Sequence, residues 1–335
     1  MAGTTVFDIV IVGGGPAGLA AAITGASEGL KVRVMDSDQG QMGGQASKSS
    51  LIENYPGFPD GISGEELTRN FVAQAKKFAA ELICPEKAAG IRVDGKYRII
   101  QDDDGDEFVA KAVILAGGLS YKKLPAENIG SLMGRGVLYG TPTFEPARLG
   151  TCQIMIVGGA NSAGQAAMHL SKNADARITM LVRRPISEQM SRYLVDRITA
   201  APNITVLEGV EVTKAIGERK LEQVELRNLA DKTTTIEAAD HLFIFIGAQP
   251  KTLWLNGSIV TNERKFILTD RHLSPESWTQ DRPPLPLETC MPGVFCAGDV
   301  RFDSIKRITA ASGEGAIAIQ SCHGYLAQAF SDTIQ

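Results

Sequence analysis

The feature that most constrains this chain is a pattern that occurs twice: an apolar run, a glycine-rich turn and an alanine-rich segment. The first copy reads IVIVGGGPAGLAAAITG over residues 9–25, and the second reads IMIVGGANSAGQAAMHL over residues 154–170. A β-branched, apolar run is typical of a strand buried on both faces, and a glycine turn after it predicts the start of a helix. Two such units predict an α/β protein with two doubly wound, Rossmann-like dinucleotide-binding domains.

The first turn has the complete G-x-G-x-x-G spacing, at Gly13, Gly15 and Gly18. Glycine permits the tight turn, lets the backbone approach a pyrophosphate and lets the helix pack on the strand. Free N–H groups at the start of the helix suit the phosphates. The next predicted strand, LKVRVMD, ends at Asp36, where a carboxylate would accept hydrogen bonds from a ribose. This combination favours a nucleotide site over a turn without a ligand.

The second turn departs from the fingerprint. Gly158, Ala160 and Ala163 occupy its three positions. Alanine at the third position only has to pack the helix on the strand, whereas the methyl of Ala160 would point into the space of a pyrophosphate. The next predicted strand, RITMLV, ends in Arg183 and Arg184, and cations there suit the 2′-phosphate of NADP. The alternative for this pair is a solvated basic surface.

Composition argues against several other classes of protein. The formal net charge of −4 gives no electrostatic reason to expect nucleic acid or an anionic membrane as a partner. The four histidines are scattered, so no metal site is expected. Five cysteines without close pairs argue against a disulfide-stapled secreted fold. Because we find neither a signal peptide nor an apolar run long enough to span a membrane, we expect a cytoplasmic protein.

Other segments predict how the chain is organised. Residues 64–82 have helical spacing of apolar residues, with Ser63 and Glu66 as a capping box. HLFIFIGAQP over 241–250 and GVFCAGDV over 293–300 predict buried strands, and residues 305–330 predict a final helix. The simplest topology has the first domain interrupted by the second.

The ordered motifs GGGPAGLAAA, GGQASKSSLIENYPGFPDGISGEEL, AGG, GGANSAGQAA, VRR, IGAQP and PGVFCAGDVR…GEGA resemble those of the thioredoxin reductase family of flavoproteins. The resemblance covers nearly the whole chain. It implies a homodimer in which residues 1–118 and 246–335 bind FAD, and residues 119–245 bind NADPH.

The resemblance also implies site residues for both cofactors. For the adenosine diphosphate part of FAD they are Gly13, Gly15, Pro16, Ala17, Gly18 and Asp36. For the rest of FAD they are Gly44, Gln45, Asn54, Gly117, Gly298, Asp299, Lys306, Arg307 and Ile308, with Asp299 on the ribityl chain. For NADP they are Gly158, Gly159, Ala160, Asn161, Ser162, Ala163, Arg183 and Arg184. Lys306 and Arg307 begin a helix whose positive end would stabilise anionic reduced flavin.

The chain departs from this family at the redox-active dithiol. The family carries a C-x-x-C just before the NADPH-domain strand, where this chain has Gly140, Thr141, Pro142 and Thr143, and no C-x-x-C occurs elsewhere. Disulfide exchange needs one thiolate to attack and another thiol to resolve. The sequence therefore predicts a protein that is not a conventional thioredoxin reductase, and it identifies no catalytic residue.

A narrower resemblance, through NSAGQAAMHLS, SRYLVDRI, DRPPLPLETCMPGVFCAGDVR and SIKRITAASGEGA, is to a bacterial subgroup often fused behind a regulatory domain. Many of its members also lack the dithiol. Segment 271–287, with four prolines and Trp278, is a long connection for this fold. It is either a lid beside the flavin or a loop packed on the surface.

Three functions are compatible with the sequence. The first is an oxidoreductase in which NADPH reduces FAD and the electrons pass to oxygen, a quinone, a small molecule or a redox protein. The second is an FAD-dependent oxidase or dehydrogenase that does not use NAD(P)H, and the third is a non-catalytic flavin-binding regulator. Ferredoxin–NADP reductases of this fold also lack the dithiol, and they usually place an aromatic ring of a C-terminal extension on the flavin. The ten residues after Tyr325 count against this alternative, although they do not exclude Tyr325 or Phe330 as the stacking ring.

Overall fold

A computed structural model describes residues 5–38, 42–49, 52, 54–140 and 150–331. The chain divides into two compact units, one formed by residues 1–120 with 249–335 and the other by Tyr121–Ala248. The divisions predicted from the sequence fell after residues 118 and 245. The assignment of one cofactor to each unit stays a prediction.

The helices and strands alternate along most of the chain. In order they are β1 Val6–Val12, α1 Pro16–Ser27, β2 Val32–Met35, α2 Gly64–Lys77, β3 Glu81–Ile83, β4 Ala88–Asp94, β5 Tyr97–Asp102, β6 Glu107–Leu115, β7 Leu119–Tyr121, β8 Val137–Tyr139, β9 Cys152–Val157, α3 Asn161–Leu170, β10 Ala176–Val182, α4 Arg192–Ala200, β11 Ile204–Glu208, β12 Val210–Ile216, β13 Gln223–Asn228, β14 Thr234–Ala238, β15 His241–Ile244, β16 Ala248–Pro250, β17 Val294–Cys296 and α5 Ile308–Ala329.

The first unit is built on a seven-stranded sheet in the order β3-β2-β1-β6-β5-β4, with β17 paired to β6. Strand β1 is parallel to β2 and β6, and β17 is parallel to β6. Strands β4, β5 and β6 form antiparallel hairpins. Helices α1, α2 and α5 pack together over one face, and a second apolar cluster lies on the other. Strand β1 is buried on both faces. In folds of this type, ligands bind outside the carboxyl ends of the parallel strands.

The second unit contains a five-stranded parallel sheet in the order β11-β10-β9-β15-β8. An antiparallel sheet, β12-β13-β14, is attached to it. Each unit thus repeats the strand–turn–helix start predicted from the glycine pattern. The predicted α/β class with two doubly wound, Rossmann-like units is confirmed.

Two predicted elements end earlier than expected. Helix α2 begins as predicted, with the Ser63 hydroxyl accepting a hydrogen bond from the Glu66 N–H at 3.1 Å. It ends at Lys77 rather than at residue 82, because Ala79 adopts a left-handed φ of 64° and the following residues pair with β2. Likewise the strand predicted over 241–250 ends at Ile244, and residues 248–250 form the separate strand β16. Among the described helices, none is long and apolar enough to cross a membrane.

Candidate functional site

A cavity of about 490 Å³ lies in the first unit, at the carboxyl ends of β1, β2 and β6. Most of the residues predicted to bind FAD line it. They are Gly13, Gly15, Pro16, Ala17, Asp36, Gly44, Gln45, Gly117, Gly298, Asp299, Lys306, Arg307 and Ile308. The two others lie elsewhere: Gly18 is buried in α1, and Asn54 is exposed and does not line the cavity.

The two glycines around the start of α1 have different structural roles. Gly15 is the N-cap residue, and a Cβ atom built on it would have no neighbour within 4 Å, so the backbone is open to close approach from the cavity. A Cβ on Gly18 would lie only 1.9 Å from the Gly13 carbonyl oxygen, so this glycine permits the helix to pack on the turn. The first turn of α1 has no side-chain cap, which leaves backbone N–H groups for a phosphate.

Asp36 is 8% exposed and is oriented by the backbone around it. Its Oδ2 accepts a hydrogen bond from the Gly14 N–H, and its Oδ1 accepts one from the Asp38 N–H at 2.9 Å. Each carboxylate oxygen retains a second lone pair, so a ribose hydroxyl can still donate to it. The open cradle at Gly15, the helix start and this carboxylate together fit the adenosine diphosphate part of FAD.

A carboxyl pair beside this end of the cavity was not predicted from the sequence. Glu86 lines the cavity, and its hydrogen bond to Asp102, followed by burial, raises its pKa from 4.5 to about 7. Although burial alone would raise the pKa of Asp102, the hydrogen bond from Glu86 and three backbone N–H groups hold it below its ordinary value. The shared proton therefore resides on Glu86.

We expect Glu86→Gln to remove part of the pH dependence of stability. The folded protein holds the Glu86 proton more tightly than the unfolded chain does, so this stabilisation is complete below pH 4.5 and is lost as the pH rises through about 7. A glutamine keeps a donor for Asp102 at every pH. The variant should match the wild type near pH 5 and be about 1 kcal/mol more stable at pH 8, less than the full shift implies because Glu86 is open to solvent screening. Thermal unfolding at both pH values measures this, with Glu65→Gln at an exposed position of the same unit as the control. Equal pH profiles of wild type and Glu86→Gln would contradict it.

The loop after β17 is held by a partly buried ion pair. The Gly298 N–H donates to Glu314 Oε2 at 2.7 Å, and Arg301 donates from Nη2 to Oε1 at 2.6 Å and from Nε to Oε2 at 3.2 Å. Both charged side chains are 12% exposed. This network fixes the loop that brings Asp299 to the cavity, where burial raises the pKa of Asp299 and the charge of Lys306 opposes the rise.

Lys306 and Arg307 differ in their surroundings. The Lys306 ammonium donates to the Asp299 carbonyl oxygen at 2.9 Å, to the Arg301 carbonyl oxygen at 3.3 Å and to Ser304 Oγ at 2.5 Å. Burial lowers the pKa of Lys306. Arg307 is the N-cap residue of α5, and Ile308 is its first helical residue. Lys306 thus braces the loop, while Arg307 stands at the positive end of the helix.

In the second unit, Ala160 is the N-cap residue of α3, with φ −91° and ψ 173°. Gly15 has nearly the same conformation, with φ −81° and ψ −176°. An alanine is therefore unstrained here, and Ala160 is exposed. The third fingerprint residue, Ala163, is 1% exposed and packs in the core as expected. Gly159 precedes the cap and Ser162 is exposed in the first turn of α3.

Asn161, predicted to contact NADP, uses its side chain to hold a neighbouring loop. Its Nδ2 donates to Ser191 Oγ at 2.9 Å, and its Oδ1 accepts from the Ser191 N–H at 2.8 Å. Ser191 ends the loop that begins at Arg183, so this reciprocal pair ties that loop to the start of α3. A role for the Asn161 side chain in nucleotide binding stays a prediction.

An open cavity of about 430 Å³ is lined by Arg183, Arg184, Gln189 and Leu229. Both arginines follow β10 directly and are exposed. Arg183 Nε lies 3.9 Å from Glu211 Oε2, and Glu211 also pairs with Arg227. Arg183 is therefore only loosely paired, and the cavity carries the positive charge that a phosphate requires.

Comparison with known proteins identifies the family. The family model described as pyridine nucleotide-disulphide oxidoreductase matches residues 7–315. The chain belongs to this family. A thioredoxin reductase from Listeria innocua is 30% identical over 96% of this chain and 94% of its own length, and one from Streptomyces clavuligerus is 33% identical over 98% and 96%. The solved thioredoxin reductase of Streptococcus pyogenes superposes with a TM-score of 0.85 at 31% identity, covering 97% of this chain and all of that one.

These relatives support the predicted cofactors. FAD and NADPH are the cofactors of the thioredoxin reductase branch of the pyridine nucleotide-disulphide oxidoreductases. The chain is a flavoprotein oxidoreductase of this type. In the first unit the residues present fit FAD, on the evidence of the Gly15 cradle and Asp36.

The cysteines of this chain are all free thiols. All five lie within the described residues, and none is in a disulfide. Cys296 and Cys322 are fully buried, and burial raises the pKa of both thiols. Burial also raises the pKa of Cys152. Of residues 140–143, which the sequence predicts to stand in place of the family's dithiol, Gly140 donates its N–H to the Ile244 carbonyl oxygen at 3.0 Å, whereas Thr141, Pro142 and Thr143 lie outside the described residues.

Segment 271–287 belongs to the first unit and packs on other residues of that unit rather than over the cavity. Arg282 binds both carboxylate oxygens of the fully buried Glu288 at 2.7 Å and lies 5.1 Å from the centroid of the Trp278 ring. No residue of the segment is among the described residues that line the cavity. Of the two alternatives for this segment, the structure therefore favours the packed loop.

Tyr325 and Phe330, the candidate flavin stackers, are not brought to the cavity. Tyr325 is 6% exposed and its ring packs edge-on against Phe295, with 6.4 Å between ring centroids. The ring of Phe330 lies 5.9 Å from that of Tyr97. Neither aromatic ring is among the described cavity-lining residues.

Proposed function

We propose that this protein is an FAD-dependent oxidoreductase that takes electrons from NADPH and passes them to an acceptor other than an internal disulfide. Oxygen, a quinone, a small molecule or a redox protein are the candidate acceptors. The proposal rests on three features of this chain. The first unit has a cavity whose lining fits FAD, and the second unit has a cavity lined by two arginines. No cysteine is among the described residues that line either cavity.

The chain's own residues would act mainly by binding and orientation. The start of α1 at Gly15 would hold the pyrophosphate of FAD, Asp36 the ribose and Asp299 the ribityl chain. When bound, FAD accepts a hydride from a reduced nicotinamide and releases the electrons to a second acceptor. Arg307, at the positive end of α5, would stabilise negative charge on the reduced flavin. Catalysis then rests on positioning and electrostatics.

The thiols support an acceptor outside the protein's own cysteines. The thiolate, rather than the thiol, is the nucleophile in disulfide exchange. Cys296 and Cys322 are fully buried, and their raised pKa values keep both protonated at neutral pH. Cys290 accepts a hydrogen bond from the Val260 N–H at 3.3 Å and pairs with no second thiol. Together with the absence of a C-x-x-C in the sequence, this favours direct transfer from flavin to acceptor.

Anaerobic reduction of the flavin tests the proposal. We expect NADPH to bleach the visible flavin absorbance of the purified protein rapidly, and NADH to do so at least about tenfold more slowly because it lacks the 2′-phosphate. If neither nucleotide reduces the flavin while dithionite still does, the protein does not use NADPH. The remaining alternatives would then be an oxidase or dehydrogenase that does not use NAD(P)H, or a non-catalytic flavin-binding regulator. After NADPH reduction, oxygen, a quinone and oxidised thioredoxin are added in turn. Rapid turnover with thioredoxin would contradict the proposed class of acceptor.

The predicted homodimer is part of the same proposal. Sedimentation equilibrium of the FAD-loaded chain should give twice the 35.7 kDa mass of one chain. A monomer at micromolar concentration would contradict it.

A further inference from the structure

The adenine end of the first cavity has a wall that the fingerprint residues do not explain. In a fold of this type the helix start receives the pyrophosphate and the acid after β2 receives the ribose, so the adenine lies beyond Asp36. Residues 86–88, which follow β3, line the cavity there, and so does Trp254. Trp254 is one of only two tryptophans in the chain.

Trp254 is held at this wall by a single helical turn. The 3₁₀ turn Leu253–Leu255 packs beside β4, and Leu255 is 3% exposed within the apolar cluster that contains Met35 and Ala88. Trp254 is partly buried against the same cluster. Met35 directly precedes Asp36, and Ala88 directly follows residues 86 and 87. The indole of Trp254 therefore packs on the same apolar cluster as Met35 and Ala88, which lie next to the ribose-binding part of the cavity.

The polar group of the indole is already satisfied. Trp254 Nε1 donates to the Lys251 carbonyl oxygen at 3.1 Å, so the ring turns no unsatisfied donor toward the cavity. Its remaining surface is aromatic carbon. Such a surface suits a flat heterocycle, because bases stack on aromatic side chains without needing hydrogen bonds.

We propose that Trp254 is the side chain against which the adenine of FAD packs, so that it adds to the affinity of this cavity for the adenosine part of the cofactor. The inference depends on FAD binding and is independent of the electron donor and acceptor. It is therefore separable from the proposed function, which flavin bleaching by NADPH tests.

The two tryptophans provide a matched pair of reporters. In Trp278→Phe the only emitting indole is Trp254, and in Trp254→Phe it is Trp278, which packs on Arg282 away from the described lining of the cavity. The full chain is freed of FAD and titrated with ADP, FMN and FAD. ADP is the decisive probe, because it does not absorb at the wavelengths at which an indole emits and so cannot quench a distant indole by energy transfer, as a flavin can.

We expect ADP to change the emission of Trp254 at least twofold at saturation and to leave that of Trp278 unchanged. FMN, which lacks the adenosine, should bind more weakly than FAD. In the holoprotein, Trp254→Phe should keep FAD affinity within about threefold, whereas Trp254→Leu should weaken it about tenfold or more, because stacking on the ring is lost.

Two results would overturn the assignment. One is saturable binding of ADP without any change in Trp254 emission. The other is unchanged FAD affinity in Trp254→Leu. If Trp254→Leu fails to fold, the ADP titration of Trp278→Phe still decides.

Discussion

Gly15→Val is expected to give a folded protein that no longer binds FAD. Gly15 has a φ of −81°, which any residue can adopt, and a Cβ built there meets no protein atom within 4 Å. The valine side chain would therefore occupy the space that the pyrophosphate needs without disturbing the chain. We expect FAD affinity to fall about 100-fold or more, and the purified variant to be colourless. The ratio of flavin to protein absorbance and a titration with FAD measure this.

Gly18→Ala is the matched control, because the smaller change should do more harm to the fold. Its Cβ would lie 1.9 Å from the Gly13 carbonyl oxygen, so either α1 or the turn has to move. We expect a loss of about 3 kcal/mol or more in stability, with FAD loss as a consequence. Thermal unfolding of the FAD-free proteins separates the two cases. A yellow, stoichiometrically loaded Gly15→Val protein would show that the cradle at Gly15 is not the phosphate site.

The glycine turns could be predicted because their chemistry is local. The strand, the turn and the acid at Asp36 lie within one β-α-β stretch, and each residue type has a distinct physical reason to be there. The same holds for the Ser63 cap of α2. The end of α2 could not be predicted, since the apolar spacing continues beyond Lys77. What ends the helix is the pairing of residues 81–83 with β2, which is a tertiary contact.

The side chains that brace the cavity could not be predicted for the same reason. Glu86 meets Asp102 only because β4 pairs with β5 in the register that sets Ala88 opposite Asp102. Arg301 meets Glu314 only because α5 lies against the loop after β17. Arg301 belongs to the motif GDVR and Glu314 to the motif GEGA, but nothing in either motif indicates that the two side chains are in contact. Trp254 has no local signal of a binding role in the sequence, since one aromatic residue after a strand is more often part of a core.

The position of Ala160 illustrates how the structure alters an argument made from sequence. From the fingerprint alone, a methyl at this position counts against a working site, because glycine is expected where a pyrophosphate approaches. The cap conformation of Ala160 nearly equals that of Gly15, and the residue is exposed. The backbone geometry of the second turn is therefore intact. Whether the second turn binds a nucleotide then depends on how much space for the pyrophosphate the Ala160 methyl occupies, and on how much affinity for the 2′-phosphate Arg183 and Arg184 add.

The arginine pair is accordingly expected to decide between NADPH and NADH. In Arg183→Ala/Arg184→Ala, the cavity beside Gln189 loses both of its described cations. Charge-assisted hydrogen bonds contribute about 1.5–3 kcal/mol each, and part of this is screened because both side chains are exposed. We expect the apparent affinity for NADPH in flavin reduction to fall about 100-fold, while that for NADH changes less than about threefold. Stopped-flow reduction at increasing nucleotide concentration measures both.

A control with the same change in net charge separates local binding from long-range attraction. Arg177→Ala/Arg219→Ala removes two exposed arginines of the same unit that do not line the cavity. It should leave the ratio of NADPH to NADH affinity unchanged, since both nucleotides carry the pyrophosphate that responds to overall charge. If both double variants lose NADPH affinity equally, the pair acts only through net charge. If neither variant does, the 2′-phosphate does not bind at this cavity, and Arg183 and Arg184 are the solvated basic surface that the sequence also allowed.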